Sequence, residues 1–342
     1  MSKILVIGPA WVGDTVMAQT LFTLLKQQDP TAIIDVLAPA HSVQVLLRMP
    51  EINQCFVSPF SHGSLNLRER FKLGRTYQAA GYQQAFTLPN SFKSALIPFF
   101  AGIPKRTGWL GEYRYGLLND ARKLDKARYP LMVERFAALA FPKDSPLPAN
   151  LPWPHLQTTQ ESVAAALKKY TVAKVSGQPI LALCPGAEFG PAKRWPIEYF
   201  SQVAQQKLKE GWAVWLFGSP KEQQCGVDIQ ALCQNQCVDL IGKTKLVDTI
   251  DLLSCADAVV ANDSGLMHIS AALNKPLVVV YGSTDPGFTP PLSKNVEILS
   301  LKLPCSPCFQ RECPLEHLNC LKQLTPDKVL ASIDTLRSRG VA

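Results

Sequence analysis

The segment at residues 184–196 has the residue types of an anion-binding loop. Small residues and prolines fill much of it, and it ends near two adjacent cations, Lys193 and Arg194. An apolar, strand-like run precedes it and a helical pattern follows it. A strand, a Gly-containing loop and a helix start bring free backbone N–H groups and positive charge together. Taken alone, the pattern fits a phosphate site and an ordinary strand-to-helix connection equally well.

Asp14 stands at the beginning of a predicted helix, just after the first apolar strand-like run. Its carboxylate could cap that helix, which is an ordinary structural role, or act as a base toward a substrate. We expect the cap and the positive helix end to lower its pKa. A weak base of this kind suits a reaction in which proton removal comes late, after charge has built up elsewhere.

Two other predicted strand ends carry polar groups. Glu222 follows one of them and could bind ribose hydroxyls, although most such glutamates are surface residues. Asp263, Ser264 and Gly265 follow another, and with the N–H groups of the next helical turn they could hold a phosphate or sugar hydroxyls. His268 lies one turn further on, where it faces the ligand or packs in the core. There is no P-loop or complete Gly-x-Gly-x-x-Gly, which argues against P-loop and typical NAD chemistry.

Four cysteines lie close together near the C-terminus, namely Cys305, Cys308, Cys313 and Cys320. Four thiols at this spacing could bind a structural zinc ion or an iron–sulfur cluster, or remain unligated. The segment lies outside the predicted strand-end loops, so a metal there would be structural rather than catalytic.

Composition limits the class of protein. The chain has 342 residues, 47% of them hydrophobic and 18% charged, which is typical of a globular protein long enough for two domains. No segment approaches the roughly 20 apolar residues of a membrane span, and the N-terminus does not resemble a signal peptide. We therefore expect a cytoplasmic protein with reduced cysteines.

Positive charge is concentrated in the first half of the chain. Residues 1–150 contain 17 basic and 10 acidic residues, and residues 68–135 contain 13 basic and 5 acidic ones. Nucleic acid, an anionic membrane surface or a charged glycolipid would suit such a surface, and so would a simple solubilising face.

Strand-like and helical patterns alternate in both halves of the chain, which predicts an α/β protein with two doubly wound domains. A proline-rich stretch at residues 142–154 indicates the linker. We predict one domain at residues 1–155, a second at residues 156–324, and a C-terminal helix at residues 325–342 that could pack back on the first domain. Ligands in such sheets bind at the carboxyl ends of the strands, so two facing domains would leave a cleft between them.

Five segments together resemble the lipopolysaccharide heptosyltransferases, glycosyltransferase family 9. They occur in the family's order along nearly the whole chain, at residues 7–14, 88–95, 102–109, 184–196 and 262–268. The resemblance implies the GT-B arrangement, two facing Rossmann-like domains with an inter-domain cleft. It also implies an acceptor, heptosyl-Kdo2-lipid A, on the N-terminal domain and a donor, ADP-L-glycero-D-manno-heptose, on the C-terminal domain.

The resemblance assigns roles to particular residues. It implies that Asp14 is the general base of an inverting transfer that requires no cofactor, and that Lys193 contacts the donor. Donor-binding roles also fall on Glu222 at the ribose and on Asp263, Ser264 and Gly265 near the diphosphate. Further donor or acceptor contacts are expected at Gly186, Arg194, His268, Asn90, Lys93 and Arg106. The cysteine-rich segment is not part of the family's catalytic pattern.

Alternatives remain at this point. The chain could be another heptosyltransferase of the family or a GT-B sugar-nucleotide epimerase, which needs no acceptor. A remote alternative, drawn from the basic surplus and the four cysteines, is a zinc-containing nucleic-acid-binding protein with salt-sensitive binding. The heptosyltransferase interpretation implies no nucleic-acid partner. The basic region would then meet acceptor phosphates and could contact the cytoplasmic face of the inner membrane as a peripheral protein.

Overall fold

The computed structural model describes residues 2–60 and 63–340, and it divides the chain into two compact units between His155 and Leu156. Each unit contains a six-stranded parallel sheet with helices packed around it. Among the residues described, no helix has both the length and the apolar character that crossing a membrane requires.

The first unit alternates strands and helices. Its elements in chain order are β1 (Lys3–Ile7), α1 (Val12–Gln28), β2 (Ile33–Ala38), α2 (Ala40–Leu46), β3 (Gln54–Val57), α3 (Leu67–Gln78), β4 (Gln84–Thr87), α4 (Leu96–Phe100), β5 (Lys105–Trp109), β6 (Asp120–Arg122) and α5 (Met132–Leu139). The strand order is β3-β2-β1-β4-β5-β6, and every neighbouring pair is parallel. β1 is almost entirely buried, because parallel sheets of this kind are covered on both faces.

The second unit repeats this architecture. Its elements are α6 (Gln160–Lys169), β7 (Ile180–Cys184), α7 (Ile197–Lys209), β8 (Ala213–Leu216), α8 (Gln223–Leu232), β9 (Val238–Asp239), α9 (Leu246–Leu253), β10 (Ala258–Asn262), α10 (Gly265–Ala272), β11 (Leu277–Val280), β12 (Val296–Leu299), α11 (Asn319–Lys322) and α12 (Pro326–Gly340). The strand order is β12-β11-β10-β7-β8-β9.

The two sheets have the same connectivity. Numbered within its own unit, each sheet has the strand order 3-2-1-4-5-6, which is the order of the Rossmann fold. The order reverses between β1 and β4 in the first unit and between β7 and β10 in the second. Such switch points are where doubly wound domains bind ligands. The predicted α/β class and the two Rossmann-like domains are confirmed.

The last helix, α12, packs on the second unit. Its buried side chains Val329, Ile333 and Leu336 belong to the hydrophobic core that also contains Phe200 of α7 and Val278 of β11. The sequence suggested that this helix could pack back on the first domain, and the observed contacts differ from that suggestion. The physical reason is its apolar stripe, which completes the core of the second sheet.

Candidate functional site

The segment at residues 184–196 follows β7 at the switch point of the second unit. Its two ends are held by Asn262, whose side-chain amide donates to Pro185 O (2.7 Å) and whose carbonyl accepts from Trp195 N (3.0 Å). Asn262 is fully buried, so this amide joins the ends of β7 and β10. Arg194 donates from Nε to Ala187 O (3.3 Å), which braces the loop against itself.

Lys193 forms a buried ion pair in this loop. Its Nζ lies 2.5 Å from Oδ2 of Asp263, which follows β10, and the two side chains are 14% and 5% exposed. The Thr284 hydroxyl donates to the same carboxylate oxygen at 2.5 Å. The structure therefore brings together Lys193 and Asp263, as predicted, and adds Thr284. The sequence analysis missed Thr284, although a polar stretch directly after β11 was the available signal.

His268 lies in α10, near this ion pair. The side chain is buried, and burial lowers the pKa of its imidazole to about 4, with nearby Lys193 lowering it further and Asp263 opposing the shift. At neutral pH the ring is therefore uncharged. His268 can donate or accept a hydrogen bond here but cannot supply positive charge to an anion.

Ser264 and Gly265 form the amino end of α10. Ser264 is the N-cap residue, but its hydroxyl does not cap the helix and is buried without a hydrogen-bond partner among the residues described. Unpaired buried hydroxyls are uncommon because they lose their hydrogen bonds to water. A helix amino end with free N–H groups and an unpaired hydroxyl is suited to an anionic or hydroxylated ligand.

Glu222 lies where the ends of β7 and β8 meet. Its side chain is buried, and one carboxylate oxygen accepts from Ser219 N at 2.6 Å. The carboxylate occupies the space above Gly186, where an added Cβ would overlap it. A side chain at residue 186 would therefore have to displace the Glu222 carboxylate, and the two predicted residues are in contact.

Asp14 occupies the first turn of α1 in the first unit. The N-cap is Trp11 and not Asp14, so the expected capping role is wrong. The Asp14 carboxylate has no hydrogen bond or ion pair with any residue that the structure describes, and burial raises its pKa from 3.8 to about 6. The expected lowering of the pKa is therefore also wrong, because burial outweighs the helix end. A carboxylate with this pKa is better matched to general-base catalysis at neutral pH.

The loop after β4 carries Asn90 and Lys93 and is organised by Arg114. The Arg114 side chain is fully buried and donates to Pro89 O at 2.6 Å, to the Trp109 carbonyl, and more weakly to the Asn90 amide oxygen at 3.4 Å. Burial lowers the pKa of Arg114 to about 10, with nearby Glu112 opposing the shift. Nothing in the sequence distinguishes this arginine from the other cations of the region.

Arg106 lies apart from Asn90 and Lys93. It is near the amino end of β5, and its guanidinium donates to Leu117 O (2.7 Å) and Ile103 O (2.6 Å). The structure thus gives Arg106 backbone carbonyls of its own unit as partners. Part of the basic surplus at residues 68–135 is used in the same way, because Arg70, Arg122 and Arg135 also donate to backbone carbonyls.

The four C-terminal cysteines lie in the segment between β12 and α12. Burial raises the pKa of Cys320, and the nearby Cys305, Cys313 and Cys308 raise it further, so the thiols are neighbours. Within residues 2–60 and 63–340, however, no group of three or more His, Cys, Asp or Glu side chains is arranged to hold a metal ion. The residues do not fit a zinc ion or an iron–sulfur cluster in this conformation, and the structural metal that the spacing allowed is unsupported.

Comparisons with known proteins agree with this geometry. The model of glycosyltransferase family 9 (heptosyltransferase) matches residues 70–319. The lipopolysaccharide heptosyltransferase 2 proteins of Escherichia coli K12 and Salmonella typhimurium LT2 are each 46% identical to this chain, covering 98% of it and 98% and 99% of the relatives. The solved structure of the E. coli ADP-heptose lipopolysaccharide heptosyltransferase II is 44% identical, with a TM-score of 0.89 over 99% of this chain and 100% of that one.

Two Rossmann-like units with polar residues at the strand ends are typical of nucleotide-binding proteins. The chain belongs to glycosyltransferase family 9, the heptosyltransferases. The predicted family and enzyme class are confirmed, and the remote alternative of a zinc-containing nucleic-acid-binding protein is set aside.

Proposed function

We propose that this heptosyltransferase moves L-glycero-D-manno-heptose from ADP-heptose to heptosyl-Kdo2-lipid A with inversion at the anomeric carbon. One observation carries the proposal. A cation, a carboxylate and a helix amino end meet at the switch point of the second unit, and Asp14, a carboxylate with a raised pKa and no partner among the described residues, lies at the equivalent switch point of the first unit. The names of the relatives reported above support the choice of sugar and of a lipopolysaccharide acceptor.

The second unit binds the donor in this proposal. The N–H groups at the start of α10 and the Ser264 hydroxyl bind the diphosphate, and Lys193 adds positive charge beside it. Glu222 binds the ribose hydroxyls, and Gly186 leaves room for the Glu222 carboxylate. Asp263 and Thr284 hold Lys193 in position, which makes them positioning residues as well as candidates for contact with the heptose.

The first unit receives the acceptor. Asn90 and Lys93 border the loop that Arg114 organises, and they are the candidates for contact with acceptor anions. Arg106 is assigned a structural role because its guanidinium bonds backbone carbonyls.

The chemistry is a single displacement. The acceptor hydroxyl oxygen forms a bond to the anomeric carbon while the bond from that carbon to the diphosphate oxygen breaks, and its electron pair leaves with ADP. Asp14 accepts the hydroxyl proton. Lys193 and the amino end of α10 stabilise the charge that grows on the leaving diphosphate, so the proposal requires no cofactor.

The proposed acceptor is a lipid, so we infer that the reaction takes place at a membrane surface, the cytoplasmic face of the inner membrane. We propose that the protein contacts that face through the α3–α4 surface, defined as Leu67, Arg68, Phe71, Lys72, Arg75 and Phe99, all of them exposed. Leu67 and Phe71 lie one turn apart on α3, and Phe100 of α4 packs against Phe71 at 5.2 Å between ring centroids. Aromatic side chains beside basic ones suit an anionic lipid surface.

This contact predicts a specific loss of vesicle binding. The wild-type protein should co-sediment with vesicles that contain phosphatidylglycerol and not with phosphatidylcholine vesicles. Reversing two charges in Arg68→Glu/Lys72→Glu should weaken that binding by about tenfold or more, since each basic residue near the surface contributes about 1 kcal/mol. The control Val227→Ser/Leu232→Ser changes exposed apolar residues of α8 and should bind as wild type. Equal binding by the charge-reversed variant and the control would refute the α3–α4 surface.

The donor assignment predicts selective stabilisation by adenine nucleotides. ADP-heptose and ADP should raise the melting temperature of the protein, by an amount equivalent to about 2.7 kcal/mol at a hundred times the dissociation constant. UDP-sugars and GDP-sugars should give a much smaller rise. Equal shifts with all nucleotide sugars, or none with ADP-heptose, would contradict the proposed donor.

A further inference from the structure

The cysteine-rich segment packs directly against the candidate donor site. Phe309 N donates to Ser283 O (2.7 Å), and the Ser306 hydroxyl donates to Gly282 O (2.5 Å), so the segment is joined to the loop after β11. Ala192 N donates to Arg311 O at 3.0 Å, which joins it to the loop after β7. These two loops carry Thr284 and Lys193.

The backbones approach so closely that side chains are excluded. A Cβ added to Gly190 would overlap the Arg311 backbone. One added to Gly282 would overlap the side chain of Leu321 and approach Ala192 O within 2.9 Å. Two glycines therefore allow the segment to sit against the wall of the donor site, and its position is specified by the fold rather than by a loose surface contact.

Arg311 extends from this segment toward the donor loop. Its guanidinium carbon lies 5.5 Å from the centroid of the Phe189 ring, and Lys193 Nζ lies 5.0 Å from the same centroid. The two cations thus share one aromatic ring. Stacking of a guanidinium on a ring holds its position while leaving its N–H groups available.

Arg311 differs from Lys193 in its charge balance and from Arg194 in its exposure. Lys193 is paired with Asp263, so its charge is already balanced before any ligand binds. Arg194 is engaged by Ala187 O. Arg311 is exposed and has no acidic partner in the part of the chain that the structure describes. Arg194 and Arg311 are therefore the two cations here without an acidic partner among the described residues, and Arg311, which comes from the cysteine-rich segment, is the more exposed of the two.

We propose that Arg311 is a donor-binding residue that contacts the diphosphate of the nucleotide sugar. The inference rests on the proposed donor, and it extends the site to a segment outside the family's catalytic pattern. A guanidinium can form two parallel hydrogen bonds with phosphate oxygens, which a lysine cannot. The cysteine-rich segment then has a function of its own, because it positions this arginine. The Arg311 backbone is held by its hydrogen bond from Ala192 N, and its guanidinium is held by the ring of Phe189.

Binding of ADP and of adenosine to the full-length protein separates this contact from general packing. Arg311→Ala should weaken ADP binding by about 10- to 100-fold, the range for a hydrogen-bonded charge pair, and leave adenosine binding unchanged. Arg311→Lys should recover only part of the loss. Arg337→Ala is the matched control, because Arg337 also stacks on an aromatic ring of the second unit, Trp212, at 4.6 Å, and it should bind both ligands as wild type.

Two results would overturn the inference. The first is unchanged ADP affinity in Arg311→Ala. The second is an equal loss of ADP and adenosine affinity, which would indicate that Arg311 supports the packing of the site and does not contact the diphosphate. Failure of the proposed function is distinguishable, since in that case the wild-type protein itself would not prefer ADP over other nucleoside diphosphates. Melting temperatures of all three variants should match that of the wild type, because both arginine side chains are exposed.

Discussion

Asp14→Asn is expected to lower kcat by about 10²- to 10⁴-fold at saturating donor and acceptor, the range for loss of a general base. The substitution keeps the shape of the side chain but removes its ability to accept the proton. The measurement is steady-state turnover with both substrates saturating. Asp144→Asn is the matched control, because Asp144 is an exposed carboxylate of the same unit, and it should leave kcat unchanged.

The same substitution should not destabilise the protein. The pKa of Asp14 is raised from 3.8 to about 6, so the folded state holds its proton more tightly than the unfolded state does. Between pH 4 and pH 6 this difference makes the free energy of unfolding fall as pH rises, and at pH 7 the ionised carboxylate is destabilising. Asp14→Asn removes that cost and should keep or raise the melting temperature. Near-normal turnover in this variant, or a large loss of stability, would contradict the assignment.

The raised pKa also predicts how activity depends on pH. The base must be ionised, so wild-type kcat should decrease as pH falls through about 6. The residual kcat of Asp14→Asn should not decrease in this pH range. The comparison separates titration of Asp14 from titration of other groups.

Lys193→Ala is expected to lower kcat/KM for the donor by about 10²- to 10³-fold, comparable to removal of one charged group that stabilises a transition state. Two effects combine here. The positive charge beside the diphosphate is lost, and Asp263 keeps a buried negative charge with Thr284 as its hydrogen-bond partner. An unpaired carboxylate at this place would repel the donor.

A double-mutant cycle measures the second effect. Lys193→Ala/Asp263→Asn should be less impaired in donor binding than the sum of the single variants predicts, because the two side chains interact directly. Lys221→Ala is the control, since Lys221 and Glu188 form an exposed pair of 2.7 Å in the same unit, and exposed pairs contribute little. Intact donor affinity and rate in Lys193→Ala would refute the role of this lysine.

The sequence predicts the architecture well because buried parallel strands are continuous apolar runs. β10 and β11 are fully buried, and both appear in the sequence as short hydrophobic segments followed by polar loops. Ligands bind at the carboxyl ends of the strands in such sheets, and this places Lys193 and Asp263 at the predicted site before any contact is known.

Other properties of the site depend on contacts between distant residues. The pKa of Asp14 is set by burial, whereas its position in the sequence suggested only a helix end. The pairing of Lys193 with Asp263 joins residues 70 positions apart, and it changes which cation is free to bind a ligand. Arg311 and Arg114 owe their surroundings entirely to packing, so composition alone could not distinguish them from solvated cations.

The most direct test of the proposed function is transfer from ADP-heptose by the purified full-length protein, followed by mass spectrometry of the lipid product. Kdo2-lipid A and heptosyl-Kdo2-lipid A should be offered in parallel. We predict that heptosyl-Kdo2-lipid A gains one heptosyl residue with release of ADP, and that Kdo2-lipid A remains largely unmodified. Preferential modification of Kdo2-lipid A, or consumption of ADP-heptose without a heptosylated lipid, would contradict the proposed function.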